Sequence, residues 1–76
     1  MSVRKLIIRE AVRYCQEKGG CSEAELAYVF GLSPSSAYHL FKMLKQLCRD
    51  GFLNTKDLKC DVVENKIVLS KVGDNK

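Results

Sequence analysis

From Leu26 to Arg49 the chain contains no aspartate or glutamate, while Lys42, Lys45 and Arg49 fall in the second half of that span. Ser35, Ser36, Tyr38, His39 and Gln46 are interleaved with them. Hydroxyl, imidazole and amide groups can hydrogen-bond base edges, and lysine and arginine neutralise phosphates. At roughly 100° per residue of helix, Ser35, Tyr38, His39, Lys42, Gln46 and Arg49 share one side, with Lys45 at its edge. Ala37, Leu40, Phe41, Leu44, Leu47 and Cys48 share the other. A solvated face ordinarily mixes both signs of charge, so cations without carboxylates suit a polyanion; an ordinary surface helix is the plain alternative. Position orders the roles. Ser35, Ser36, Tyr38 and His39, at the start of such a helix, point to base edges, and Lys42 to guanine or phosphate. Lys45 and Arg49, further along, point to phosphate.

Other chemistry is thinly represented. There is no paired carboxylate, no Ser/His/Asp or Cys/His constellation and no Gly-rich phosphate loop, so neither an enzyme nor a cofactor is expected. Cys15, Cys21, Cys48 and Cys60 form an even set, which permits two disulfides in three connectivities. No Cys-x2-Cys pair occurs and His39 is the single histidine, so a zinc site has little support. No charged-then-apolar leader opens the chain, which favours a reducing compartment. The preferred expectation is therefore four small buried apolar residues with reduced thiols. A disulfide, within the chain or between copies, is the alternative.

The elements that must position these groups follow from period and punctuation. Val3 to Lys18 reads as an amphipathic helix with Ile7, Ile8, Ala11, Val12, Tyr14 and Cys15 in one half and Lys5, Arg9, Arg13 and Gln16 in the other. Its apolar arc is broad, wide enough to meet both a core and a second subunit. Gly19-Gly20 ends it and Cys21 is a short extended link. Ser22 with Glu25 reads as a capping box for a helix over Glu23 to Phe30, which Gly31 closes. Ser33 is a second N-cap, Pro34 the first residue of a third helix running to about Asp50, and Gly51 its end. Phe52 and Leu53 are expected to lead into a β-strand. Leu58, Cys60 and Val62, then Ile67 and Leu69, alternate on either side of Glu64-Asn65, the pattern of a hairpin. With 76 residues and a net charge of +4, the chain is one small domain whose acidic partner the charge already suggests. No apolar run reaches the roughly 18 residues of a membrane span.

The stretch Glu25-Leu26-Ala27-Tyr28-Val29-Phe30-Gly31-Leu32-Ser33-Pro34-Ser35-Ser36-Ala37 resembles the helix-turn-helix of bacterial and archaeal winged-helix transcriptional regulators, which commonly reads E-L-A-x-x-L-G-L-S-x-S-T-V. Gly51-Phe52-Leu53 resembles the step by which that family leaves its recognition helix for the wing. The resemblance covers about residues 3–71, with a third helix somewhat longer than the common pattern. It implies a mostly α fold with a small β-hairpin: a winged helix-turn-helix of three helices plus wing, one domain over residues 1–72 with a flexible tail at 73–76. It also implies a sequence-specific double-stranded DNA-binding protein, a transcriptional regulator with helix 34–50 in the major groove.

Ser35, Ser36, Tyr38, His39, Lys42, Lys45, Gln46 and Arg49 are the expected DNA contacts, and Lys66 the wing's contact with the backbone. Arg4, Lys5, Arg9 and Arg13 form a second basic group. A homodimer through the first helix would double a short readout and match a palindromic site. The expected setting is cytoplasmic and nucleoid-associated, with no metal and no membrane. A winged-helix protein-interaction module is the alternative, favoured by a wing in which Lys56, Lys59 and Lys66 are balanced by Asp57, Asp61 and Glu64. A thiol- or metal-responsive switch would rest on the cysteines alone.

Overall fold

The computed structural model describes the backbone of residues 3–72 and the side chains of residues 7–72. The expected tail at 73–76 and the side chains of Arg4 and Lys5 lie outside the described residues. The elements are α1 (Val3–Lys18), β1 (Gly20–Cys21), α2 (Glu23–Phe30), α3 (Pro34–Arg49), β2 (Leu58–Val63) and β3 (Lys66–Lys71). The hairpin is present, but it is not alone. Gly20 pairs with Val68 and Cys21 with Ile67, giving a three-stranded antiparallel sheet in the order β1-β3-β2. The described residues are therefore mixed α/β, with three helices and a three-stranded sheet, rather than helices with a hairpin only. Cys21, read as a link, is an edge strand two residues long, too short for any period to register in the sequence.

Caps divide the helices where the residue types demand. Gly19 (φ 82°) leaves α1 in a left-handed conformation that side chains avoid. Gly20 (φ 138°) then passes so close to β3 that a Cβ would lie 2.2 Å from the carbonyl oxygen of Ile67. Ser22 caps α2 by accepting from the Glu25 amide at 3.2 Å. The other half of the expected box is not made, because the Glu25 carboxylate instead accepts the Tyr14 hydroxyl from α1. Gly31 (φ 63°) closes α2, and Leu32 N–H donates back to Ala27 C=O at 2.9 Å. Ser33 caps α3, Pro34 begins it, and Asp50 ends it one residue short of the expected boundary. Glu64 and Asn65 both take positive φ, 49° and 63°, as a two-residue hairpin turn requires to match the strand twist.

The core lies between the helices and one face of the sheet. Phe41, Leu26, Leu44, Leu53, Ile67 and Cys15 are its largest fully buried side chains. Period two holds in the hairpin: Cys60, Ile67 and Leu69 are buried, while Lys59, Asp61, Lys66 and Ser70 face solvent. The stretch after α3 departs from expectation. Phe52 and Leu53 lie in turns, and the first strand of the hairpin starts only at Leu58. Leu53 fills the core while Phe52 is 69% exposed. Side chains satisfy the irregular backbone here. Asn54 Oδ1 accepts from Cys60 N–H at 2.8 Å, Thr55 Oγ1 from Leu58 N–H at 3.0 Å, and Gln16 Nε2 donates to Leu53 C=O at 3.2 Å.

The cysteine expectation is overturned. Cys15 is bonded to Cys21 and Cys48 to Cys60, and no cysteine is free. The residues are buried, as expected, but as disulfides rather than thiols. The fold brings each pair of Cα atoms to 5.4 and 5.5 Å, within bridging distance. Sequence spacing carries no such information, because each pair meets only when a strand packs on a helix. Each bridge ties an outer strand of the sheet to the last turn or so of a helix: β1 to α1 through Cys15, and β2 to α3 through Cys48. On the chain-entropy account, rings of this size contribute about 2–3 kcal/mol each. That is a large share for a domain so short. Among the described residues, no helix is long and apolar enough to cross a membrane.

Candidate functional site

The carboxylate-free stretch of the sequence becomes the outer face of α3. Its inner face packs Ala37, Leu40, Phe41, Leu44 and Cys48 into the core. Core packing thereby fixes the rotation of the helix and turns Ser35, Ser36, Tyr38, His39, Lys42, Gln46 and Arg49 to solvent. The α2–Gly31–α3 turn holds the start of α3 at the surface, where Ser33 Oγ accepts from the Ser36 amide at 3.2 Å. The Ser33 hydroxyl also lies 3.1 Å from that of Ser36. Ser36 is thus engaged by its cap, whereas the Ser35 side chain makes no hydrogen bond among the described residues.

The expected residues divide between two grooves. Tyr38, Lys42, Lys45, Gln46 and Arg49 line one along α3, with Met43. Ser36, His39 and Lys42 rim a second, whose floor is Ile7 and Ile8 of α1 with Leu32, Leu40 and Met43. Lys42 and Met43 belong to both, so they form the ridge between a basic groove and an apolar one. Ser35 and Lys66 line neither. Met43, 47% exposed, was missed by the sequence reading. Its signal was its spacing: four residues after His39 and seven after Ser36, it falls on the same side of the helix.

Within the basic groove the cations are not equivalent. Lys45 is half-buried, lies 5.3 Å from the centre of the Phe41 ring, and donates from Nζ to Asn65 Oδ1 at 3.2 Å. Gln46 Nε2 donates to Asp50 Oδ1 at 3.1 Å. Lys42 and Arg49 are exposed and make no ion pair among the described residues. Tyr38 and His39 stand edge to face, with ring centres 5.5 Å apart and planes at 71°. Three side chains expected to face a ligand, Ser36, Lys45 and Gln46, are therefore already engaged, while Lys42 and Arg49 have no ion-pair partner among the described residues.

The Lys45–Asn65 bond also locates the hairpin. It brings the tip of the β2–β3 turn against the C-terminal half of α3, with Lys66 the next residue and exposed. Asn65 was expected only to shape the turn; its side chain also docks the tip. Away from this face, Tyr14 of α1 packs edge-on against Phe30 of α2, with ring centres 6.1 Å apart. The Tyr14 hydroxyl donates to the Glu25 carboxylate, which together with partial burial and the neighbouring negative charge raises its pKa above the ordinary phenol value. No family model, curated protein or solved structure matches this chain.

Proposed function

We propose that this chain is a winged helix-turn-helix protein that binds double-stranded DNA sequence-specifically and regulates transcription, with α3 in the major groove. The observation that carries this reading is the exposed face of α3, where Tyr38, His39, Lys42 and Arg49 stand without an intervening carboxylate. A helix presented this way fits a groove about 12 Å wide. Tyr38, His39 and Lys42 are the base-reading candidates, with Ser35 at the helix start. Arg49 takes phosphate. Lys45 and Gln46 join after exchanging their bonds to Asn65 and Asp50, and Lys66 follows the backbone from the hairpin tip. The work is binding rather than catalysis, in a cytoplasmic, nucleoid-associated setting.

A homodimer through α1 belongs to the same reading. Ile7, Ile8 and Val12 are only partly covered by the core, which leaves apolar surface for a second copy. Two copies would place two α3 helices on half-sites about one helical turn apart. Selection of bound duplexes from a random pool tests all three claims: an enriched motif with two-fold symmetry is expected. Absence of binding to any duplex at low salt sinks the reading.

Two observations favour a second reading, a protein-interaction module. The groove floored by Ile7, Ile8, Leu32, Leu40 and Met43 is apolar, and the hairpin sets Lys59, Lys66 and Lys71 against Asp61 and Glu64, close to balance. On that reading duplex affinity would be weak and indifferent to sequence, which the same selection reports as no enriched motif.

A further inference from the structure

We propose that the Cys48–Cys60 bridge is a thiol-responsive clamp: exchange with a dithiol frees the hairpin from α3 and weakens duplex binding. The proposal rests on the DNA-binding reading and adds a means of regulating that site. Of the two bridges, only this one joins the two elements that would meet DNA, the last turn of α3 and strand β2 of the hairpin. Cys15–Cys21 joins α1 to β1, which carries no expected DNA contact and pairs with β3.

The non-covalent ties on the two sides of the hairpin differ in kind, a backbone ladder on one and side-chain packing on the other. β3 is held to β1 by pairing of Gly20 with Val68 and Cys21 with Ile67, and by Leu69 N–H donating to Gly19 C=O at 3.0 Å. β2 is an outer strand with no neighbour beyond β3. To α3 itself the hairpin makes one side-chain hydrogen bond among the described residues, the exposed Lys45–Asn65 bond at the tip; Asn54 and Thr55 hold β2 to the loop before it, and Leu58 and Val62 pack against the core. With the bridge opened, the hairpin keeps its β1 edge and gains freedom at its α3 edge. Lys66 and the tip then lose their fixed place beside Lys45, and ordering them again on DNA costs affinity.

The chemistry balances without any group the chain lacks except the dithiol. One thiolate of the dithiol attacks Sγ of Cys60, forming a mixed disulfide and releasing Cys48 as a thiolate. The second thiol of the reagent attacks its own bonded sulfur, closing a cyclic disulfide and releasing Cys60. Two electrons pass to the protein and, with two protons, leave two thiols. Cys48 and Cys60 are buried, so exchange proceeds through transient opening of the outer strand.

The test compares the oxidised protein, the same protein after dithiothreitol, and oxidised C48A/C60A and C15A/C21A variants. Duplex affinity, helical circular dichroism and amide exchange are read for each. Reduction and C48A/C60A are each expected to weaken binding on the order of tenfold. Both should speed amide exchange in β2 and the 64–65 turn while the helical signal stays. Oxidised C15A/C21A is expected to bind as the unsubstituted protein does. Unchanged affinity, or unchanged exchange in β2, overturns the clamp while DNA binding stands. Loss of helical signal together with affinity also overturns it, since the bridge would then hold the whole fold. If the oxidised protein binds no duplex, the DNA reading fails and the regulation fails with it. If C15A/C21A does not fold, the oxidised and reduced protein and C48A/C60A still decide the outcome.

Discussion

Lys42 and Arg49 differ from Lys45 in what already holds them, and that difference is measurable. Arg49→Ala should weaken duplex binding by about 1 kcal/mol and lower the salt slope by about 1, as loss of one phosphate contact does, while Lys42→Ala should weaken it by about 1 kcal/mol or more and relax the sequence preference. Lys45→Ala should cost less, because its Nζ must first leave Asn65. Glu64→Ala should leave affinity unchanged or raised. Salt-dependent titrations of the four proteins check the order. A second residue-scale expectation concerns Tyr14. Its pKa is raised in the folded chain, so the hydrogen bond to Glu25 supports the fold fully below the free phenol value near 10. That support is lost as pH rises through the folded value. Phenolate absorbance should show Tyr14 ionising above the free phenol value, and Tyr14→Phe should remove that step along with its share of alkaline sensitivity. These details were not legible in the sequence. Glu25 stands where a capping box wants it, and only the approach of α1 to α2 gives its carboxylate to Tyr14 instead.

Helices were the most legible elements because their signals are local. Ser22, Gly31, Ser33 and Pro34 act on backbone groups within a few residues, so the ends of α2 and the start of α3 could be read from residue types alone. The strand β1 had no local signal. It exists because Gly20 lets the chain pass against Ile67 and Val68, nearly fifty positions away. The two adjacent glycines therefore have different tolerances. Gly20→Ala should destabilise by about 3 kcal/mol or more, since its Cβ meets backbone that cannot yield and its φ is unfavourable. Gly19→Ala has open space and should cost about 1–2 kcal/mol for its left-handed conformation alone. Urea unfolding of both variants tests this. Ser33→Ala should cost about 1 kcal/mol through loss of the α3 cap.

For the whole molecule, the decisive addition is covalent. A chain of 76 residues has a small core, and the two bridges constrain its unfolded ensemble. Full reduction should lower unfolding free energy by about 4–6 kcal/mol, read as a fall in the midpoint of urea unfolding with and without dithiothreitol. Association is the other molecule-scale expectation. Sedimentation at micromolar concentration should show a dimer that an Ile8→Glu change on α1 dissociates. A monomer with and without DNA would remove the dimer.

The sequence by itself determined the three helices, the hairpin and the composition of the outer face of α3. Those follow from periodicity, caps and the absence of carboxylates between Leu26 and Arg49, all properties of neighbouring residues. Tertiary structure alone decided the third strand, the cysteine pairing, the docking of Asn65 on Lys45, and the place of Met43 between two grooves. Each of these joins or sets side by side groups that are remote in the chain. Their proximity is set by how the sheet packs on the helices, which depends on the sum of many buried contacts and leaves no mark at any single position.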